Sequence, residues 1–172
     1  MQTKILVTYA TTHGSTQEIA NFITAEIKSR QLDLDILPVK EVTSLEGYNL
    51  VFLGAPLYMF KLHADAKKFL KRFESEIQKG LPVAVYAGGP FGEATADDWE
   101  KIEESLDKEL AKVSWFKPLK KLVVGGKFDP TKLRFPYSLI PAMKQMPASD
   151  LRDWQVIKEW VTEVLRVYQV EG

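Results

Sequence analysis

A short hydroxyl-rich segment near the N-terminus contains the residues best suited to bind an anion. It reads Thr8-Tyr9-Ala10-Thr11-Thr12-His13-Gly14-Ser15-Thr16 and comes directly after the apolar run Ile5-Leu6-Val7. The residues after it show helical spacing, with one apolar face formed by Ile19, Phe22, Ile23 and Ile27. This order predicts a strand, a tight turn and a helix start, where unpaired backbone N–H groups and the helix dipole favour negative charge. Four hydroxyls and a glycine at that place predict a phosphate site without Lys or Arg.

The lack of a lysine and of further glycines in this segment excludes two common nucleotide-binding loops. Neither G-x-x-x-x-G-K-[ST] nor G-x-G-x-x-G is present, and the pattern that remains is T-T-x-G-x-T. A simpler alternative is that Ser15 or Thr16 only caps the helix. A cap needs one hydroxyl, so the larger set favours phosphate. The predicted phosphate ligands are Thr11, Thr12, His13, Gly14, Ser15 and Thr16.

The chain alternates apolar strand patterns with amphipathic helix patterns. The predicted strands lie near 4–9, 32–36, 50–53, 82–86 and 122–124, and the predicted helices near 15–30, 64–80, 95–110 and from Asp150 onward. Alternation predicts an α/β fold in which a five-stranded parallel sheet of order 2-1-3-4-5 carries helices on both faces. Because no linker interrupts the pattern, residues 1–172 are predicted to form a single domain. Ligands of such sheets bind beyond the carboxyl ends of strands 1 and 3.

The chain resembles the flavodoxin-domain family over nearly its whole length. This resemblance rests on the loop from Thr11 to Thr16, the strand end Gly54-Ala55-Pro56-Leu57-Tyr58, and His63. The final third resembles, within that family, the menaquinone-dependent protoporphyrinogen dehydrogenases of bacteria. That second resemblance rests on Gly125-Gly126-Lys127-Phe128-Asp129, Met143-Lys144-Gln145-Met146 and Arg152-Asp153-Trp154. The resemblance implies a flavodoxin-like fold, non-covalent flavin mononucleotide (FMN), and oxidation of a porphyrinogen-like substrate with electrons passing to a quinone or a redox partner protein.

Two further loops end at the same edge of the predicted sheet and would hold the flavin ring. The predicted contacts are Pro56, Leu57, Tyr58 and Met59 in one loop, and Gly88, Gly89, Pro90, Phe91 and Gly92 in the other. Aromatic and thioether side chains provide apolar walls, and glycines allow the backbone to approach a ring closely. The alternative is that Met59 and Phe60 are buried filler and that the glycines are plain turns. His63 is predicted to be a loop or capping residue, and it stays a candidate because it lies on the functional side.

Composition narrows the function classes. The chain has no cysteine, which excludes thiol catalysis, disulfides and iron–sulfur clusters, and its two histidines do not favour a multi-histidine metal centre. Lys and Arg number 23, as do Asp and Glu, so no net field favours nucleic acid. Soluble flavodoxin carriers are strongly acidic, so zero net charge favours an FMN-dependent oxidoreductase. An electron carrier and a flavodoxin-fold interaction module without cofactor remain alternatives.

The segment from Lys127 to Ser149 is long, proline-broken and rich in apolar residues. Such connections are usually functional. One alternative is that these residues cover the core; the other is a hydrophobic lid beside the flavin that admits a flat apolar substrate or a quinone. We also expect a cytoplasmic protein without signal peptide or transmembrane helix, and with at most peripheral contact with the inner face of a membrane.

Overall fold

Five parallel strands form the centre of the protein. The computed structural model describes residues 2–90 and 92–171. The parallel strands are β1 (Lys4–Tyr9), β2 (Asp33–Pro38), β3 (Leu50–Tyr58), β5 (Val83–Gly88) and β6 (Lys121–Val124). The short strands are β4 (Lys61–Leu62), β7 (Lys127–Phe128) and β8 (Ser149–Asp150). The helices are α1 (Ser15–Lys28), α2 (Ala64–Arg72), α3 (Glu74–Gln78), α4 (Ala96–Ala111), α5 (Pro141–Lys144) and α6 (Trp154–Glu171).

The predicted fold class and strand order are confirmed. The five parallel strands run β2-β1-β3-β5-β6, which is the predicted order 2-1-3-4-5 when these strands alone are counted. In the register, Val7 lies beside Phe52, and Phe52 lies beside Ala84. One addition is β4, which pairs antiparallel with the end of β3 and forms a hairpin there. β1 and β3 are neighbours from which the chain continues in opposite directions, so the predicted switch point exists between them.

Alternate residues of the central strands supply two cores, one on each face of the sheet. Leu6, Val51 and Leu53 belong to the core that also contains Phe69 of α2 and Leu106 of α4. The opposite core contains Ile5, Val7 and Phe52 together with residues of α1 and α6, namely Ile19, Ile23, Ile157, Val161 and Val164. Strands buried on both faces need apolar side chains at successive positions, which explains the continuous apolar runs in the sequence.

Two helix boundaries differ from the predicted ones. The predicted helix over 64–80 is two helices, because Phe73 leaves the helical conformation with φ −107° and ψ 23°. The last helix begins at Trp154 rather than at Asp150, because Ser149 and Asp150 pair with Lys127 and Phe128 as a two-stranded sheet. In both places the apolar period located the buried face, but tertiary contacts decided where the helix begins or ends. Within the described ranges, no helix is both long and apolar enough to cross a bilayer.

We expect Gly54→Ala to destabilise the protein strongly. A Cβ at this position would overlap the ring of Tyr86, a residue of β5 that is fully buried in the core between the sheet and α1 and α6. Overpacking of a closed core typically costs about 1–3 kcal/mol or more. Urea unfolding should therefore show a free energy of unfolding lower by at least that amount.

Gly88→Ala is the matched control for Gly54→Ala. It adds the same methyl group on the neighbouring strand, where the nearest atom, the Cα of Pro56, is 3.7 Å away. Its free energy of unfolding should stay within about 0.5 kcal/mol of the wild type. Equal stability of the two variants would show that the packing around Tyr86 is not tight.

Candidate functional site

A cavity of about 460 Å³ opens at the carboxyl end of the sheet, beside the N-terminus of α1. Its walls include ten of the residues predicted from the sequence: Thr11, His13, Ser15, Thr16, Pro56, Leu57, Tyr58, Met59, Gly88 and Gly89. The opposite wall comes from the segment after β6, through Gly126, Lys127, Phe128, Asp129, Lys132, Leu133, Tyr137, Ile140 and Met143, and Glu18 also contributes. The predicted loops therefore converge on one space, and the segment after β6 completes its wall.

Four further predicted residues within the described ranges, Thr12, Gly14, Pro90 and Gly92, do not line this cavity. Thr12 has an exposed side chain, and Gly14 is the N-cap residue of α1. The carbonyl of Pro90 accepts a hydrogen bond of 2.7 Å from the amide of Gly126, and the amide of Gly92 donates to Oγ of Ser149 at 2.9 Å. Phe91, also predicted as a ring contact, lies outside the described residues. Pro90 and Gly92 thus connect the third loop to the segment after β6.

Gly14, and not a hydroxyl residue, caps α1. It adopts a left-handed conformation with φ 87°, and no side chain caps the helix, so the alternative that Ser15 or Thr16 is the N-cap is wrong. The hydroxyl of Thr11 accepts a 2.9 Å hydrogen bond from the amide of Gly14 and closes the turn. The amide of Glu18 is the first to bond within the helix, to the carbonyl of Gly14 at 3.1 Å. Helix geometry therefore leaves the three preceding amides, 15–17, available for an anion.

His63 connects this turn to α2. It is the N-cap of α2, as predicted: its Nδ1 accepts a 3.1 Å hydrogen bond from the amide of Asp65. Its other ring nitrogen, Nε2, lies 3.1 Å from Oγ1 of Thr12. Burial lowers the pKa of His63, with Lys40 and Lys68 acting in the same direction and Asp65 opposing them. The geometry therefore favours a neutral imidazole with its proton on Nε2.

The hairpin between β3 and β4 presents an apolar tip at the cavity mouth. Met59 and Phe60 form its turn with φ 48° and 62°, and their side chains are 78% and 55% exposed. The alternative that they are buried filler is therefore wrong. The two residues form the hairpin turn beyond the last strand pair, Tyr58 and Lys61, where no other strand within the described ranges covers them. Behind the tip, Tyr58 packs edge-on against His13 with ring centroids 5.8 Å apart, and burial raises the pKa of its phenol.

Glu109 of α4 holds this hairpin from the opposite side, and sequence reasoning missed it. Its carboxylate is buried and accepts hydrogen bonds from the amide of Leu62 at 3.1 Å and from Nζ of Lys67 at 3.0 Å, with Lys112 as a third donor. Burial alone would raise the pKa of Glu109, but these donors outweigh it and hold the pKa at about 2. The available signal was an acidic residue beside Leu106 and Leu110 on the apolar face of the helix.

A second ion cluster, built around the buried side chain of Arg152, fixes the base of the segment after β6. Arg152 has a side chain only 3% exposed, and it donates to Glu18 at 2.5 Å and to Asp150 at 2.7 Å. Nζ of Lys127 lies 3.1 Å from the same Glu18, and the guanidinium stacks 4.7 Å from the Trp154 ring. Because Glu18 is in the first turn of α1, this cluster joins that segment to the helix whose N-terminus faces the cavity.

Most apolar residues of the segment from Lys127 to Ser149 are not in the core. Phe128 is buried, whereas Phe135 and Leu139 are 79% and 68% exposed. The segment contains two 3₁₀ turns, Pro130–Lys132 and Tyr137–Leu139, and the single-turn helix α5. The structure thus confirms the predicted irregular, proline-broken character of the segment.

A protein-family model described as Flavodoxin domain matches residues 6–146 of the chain. The chain belongs to the flavodoxin domain family. Protoporphyrinogen IX dehydrogenase [quinone] of Escherichia coli K12 is 27% identical over 86 residues, which is 49% of this chain and 47% of that protein. The match therefore spans about half the length of that relative.

Solved flavodoxin structures show the same fold. An archaeal flavodoxin matches with a TM-score of 0.53 and 17% identity, over 96% of this chain and 99% of that one. A Fusobacterium nucleatum flavodoxin variant bound to FMN matches with a TM-score of 0.51 and 20% identity, over 99% and 97%. Family membership identifies the chain as a flavodoxin-like flavoprotein.

We expect Glu109→Gln to destabilise the flavodoxin-like fold at neutral pH and to have less effect in acid. The amide cannot neutralise Lys67 and Lys112, and breaking a buried charge cluster costs about 1–3 kcal/mol. Because folding lowers the pKa of Glu109, its contribution is complete above about pH 4.5 and is lost as pH falls towards 2. The measurement is urea unfolding of both proteins between pH 7 and pH 3.

The control for Glu109→Gln is Glu104→Gln on the same helix. Glu104 pairs with Lys108 at the surface, where its side chain is 58% exposed, and such pairs contribute about 0–1 kcal/mol. A loss at Glu109 no larger than the loss at Glu104, or one that does not depend on pH, would contradict the role given to the buried carboxylate.

Proposed function

We propose that this protein binds FMN non-covalently in the cavity at the carboxyl end of the sheet and acts as an FMN-dependent oxidoreductase. The observation that carries the proposal is the glycine-capped N-terminus of α1, whose first amides open onto the same end of the sheet as an apolar cavity of about 460 Å³. In this proposal Thr11, Thr12, His13, Gly14, Ser15 and Thr16 surround the phosphate. The ring lies between the Pro56–Met59 segment and the loop that contains Gly88–Gly92.

The donor set suits a phosphate dianion followed by a flat apolar ring. Amides and hydroxyls at a helix start bind phosphate without a cation. The volume falls in the range of about 300–1,000 Å³ that is usual for small-molecule sites. Gly88 adds no side chain to the cavity wall. A Cβ at Gly126 would lie 2.6 Å from the carbonyl oxygen of Gly89, so the absence of a side chain at Gly126 allows these two loops to pack closely. FMN, when bound, supplies reversible one- or two-electron chemistry, and the protein orients it and excludes water.

We expect Thr16→Val to weaken FMN binding roughly tenfold while leaving riboflavin binding within twofold. Thr16 is 2% exposed and lines the cavity in the first turn of α1, so its hydroxyl is placed to meet a phosphate. The measurement is quenching of flavin fluorescence on titration, with FMN and riboflavin in parallel. A wild-type protein that is colourless and quenches neither flavin would overturn the proposed function.

Thr24→Val is the matched control for Thr16→Val. Thr24 lies two turns further along α1 and is also buried, and its hydroxyl has no hydrogen-bond partner in the part of the chain that the structure describes. This substitution removes the same hydroxyl from the same helix without approaching the cavity. We expect unchanged binding of both flavins and unchanged or higher stability.

An enzyme is favoured over a soluble carrier by two features. The net charge is zero, which provides no acidic field to steer the protein to a basic reductase. The segment after β6 adds Leu133, Tyr137, Ile140 and Met143 to the cavity wall, which extends the apolar surface beyond the predicted flavin contacts. The similarity to the E. coli dehydrogenase supports a quinone as electron acceptor and a porphyrinogen-like substrate. Fast, salt-sensitive electron transfer with a ferredoxin reductase, without small-molecule turnover, would instead support a carrier.

The segment between Phe135 and Met146 is proposed to act as a lid that also contacts a membrane surface. Phe135 and Leu139 are exposed, and so are Lys132, Arg134 and Lys144, which are close to them in sequence. Mixed apolar and basic side chains are typical of peripheral membrane contact. The protein would then act at the inner face of a membrane, where a quinone is available.

Replacement of Phe135–Met146 by a short Gly/Ser linker tests the lid. None of the replaced residues is buried, so we expect FMN binding and the melting temperature to change little. Quinone or porphyrinogen turnover and liposome association should fall together. A well-folded variant with unchanged turnover would exclude the lid, and a large fall in the melting temperature would instead support core cover.

A further inference from the structure

We propose that His63 is a positioning residue that holds the phosphate loop, defined here as Thr11–Thr16, in its binding conformation through the hydroxyl of Thr12. This inference rests on the proposed binding of FMN and adds to it the residue that orders the phosphate end of the site. His63 does not line the cavity among the described residues, so the proposal gives it no contact with the flavin.

The two ring nitrogens of His63 have different partners, and these partners determine its tautomer. Nδ1 accepts a hydrogen bond from the amide of Asp65 at 3.1 Å, so Nδ1 must carry a lone pair. The proton of the neutral ring is then on Nε2, which donates to Oγ1 of Thr12 at 3.1 Å. The cap of α2 therefore determines the direction in which the imidazole donates.

The same geometry excludes a hydroxyl–imidazole–carboxylate catalytic triad. In such a triad a carboxylate accepts a proton from Nδ1, and Nε2 accepts the proton of the hydroxyl. Here the carboxylate of Asp65 lies 3.8 Å from Nδ1, beyond hydrogen-bond distance, and it pairs with Lys40 at 3.2 Å. Because Nε2 carries its proton, it cannot take one from Thr12. The arrangement can hold the hydroxyl in place but cannot activate it.

The position of the imidazole is itself determined from several directions. The backbone amide of His63 donates to the carbonyl of Pro56 at 3.1 Å, which joins it to the end of β3. The ring of Tyr58 packs against the imidazole with centroids 6.2 Å apart. The side chain of His63 is 16% exposed. Contacts with Pro56 and Tyr58 of β3 and with Asp65 of α2 thus place a donor next to a threonine whose own side chain is exposed.

The phosphate loop is held by a hydrogen bond within the loop and by the hydrogen bond from His63 outside it. Within it, the hydroxyl of Thr11 closes the turn on the amide of Gly14. Residues 12 and 13 lie between those two, and the imidazole of His63 is a hydrogen-bond partner of the Thr12 hydroxyl from outside the loop. A loop that is ordered before binding loses less conformational entropy when the ligand arrives. Loss of the His63 contact should therefore weaken binding of a phosphate-bearing flavin and not of the ring alone.

The test compares His63→Asn with His63→Ala and Thr12→Val. Asparagine is a favoured N-cap residue that can still accept from the amide of Asp65, but it is too short to reach Thr12. We expect His63→Asn to keep the melting temperature and to lose FMN affinity roughly tenfold, with riboflavin affinity within twofold. Thr12→Val should show the same selective loss, and the double variant should lose no more than either single one. His63→Ala should in addition lower the melting temperature, because it removes the cap.

Nitrogen NMR of the imidazole in the flavin-free protein gives a readout independent of flavin affinity. It should show a proton on Nε2 of His63, and Thr12→Val should shift that resonance. A proton on Nδ1 would overturn the proposal, as would unchanged FMN affinity in His63→Asn or an equal loss for FMN and riboflavin. A wild-type protein that binds neither flavin would overturn the proposed function and this inference together. A wild-type protein that binds FMN, with a His63→Asn variant that binds it equally well, would overturn this inference alone.

Discussion

The free amides at the N-terminus of α1 are the feature around which the other parts of the site are arranged. They exist because a helix leaves its first N–H groups without partners, and because Gly14 provides no capping side chain. The parallel sheet then decides what lies next to them. The carboxyl ends of β1, β3 and β5 lie at the same edge of the sheet, so their following loops meet beside α1. One surface thus combines amides suited to an anion with an apolar area at the edge of the sheet.

Two ion clusters, each built around one buried charged side chain, anchor the segments that form this surface. Glu109 joins α4 to the β3–β4 hairpin, and Arg152 joins the segment after β6 to the first turn of α1. Each cluster places a charge where water is largely excluded, which is unfavourable unless every donor and acceptor is paired. Both clusters lie outside the predicted cofactor contacts. They anchor the bases of the exposed apolar segments around the cavity, and Glu18 and Lys127 of the second cluster also line it.

The apolar surface around the cavity is not part of the core. Met59, Phe60, Phe135 and Leu139 are all more than half exposed, although the hydrophobic effect favours burying such side chains. They come from two segments, the β3–β4 hairpin and the segment after β6, and each is anchored at its base by one of the charge clusters. Exposed apolar side chains at a ligand-binding edge are typical of contact with an apolar partner. This arrangement supports turnover of an apolar substrate more than exchange of electrons between soluble carriers.

The sequence by itself determined the sheet order, the two-sided burial of the strands and the glycine turn before α1. These features are local: they follow from apolar periodicity and from residue types a few positions apart. It also located ten of the residues that line the cavity, because parallel strands place their following loops together.

Only the tertiary structure decided the contacts between residues distant in sequence. Glu109 bonds Leu62 across 47 positions, His63 bonds Thr12 across 51, and Arg152 bonds Glu18 across 134. The two-stranded pairing of β7 with β8 made the last helix begin later than its period predicted. The left-handed turn at Met59 and Phe60 exposed side chains that composition alone would bury. Periodicity reports which face of an element is apolar. It carries no information about which polar group on another element will meet it, because that depends on how the elements pack.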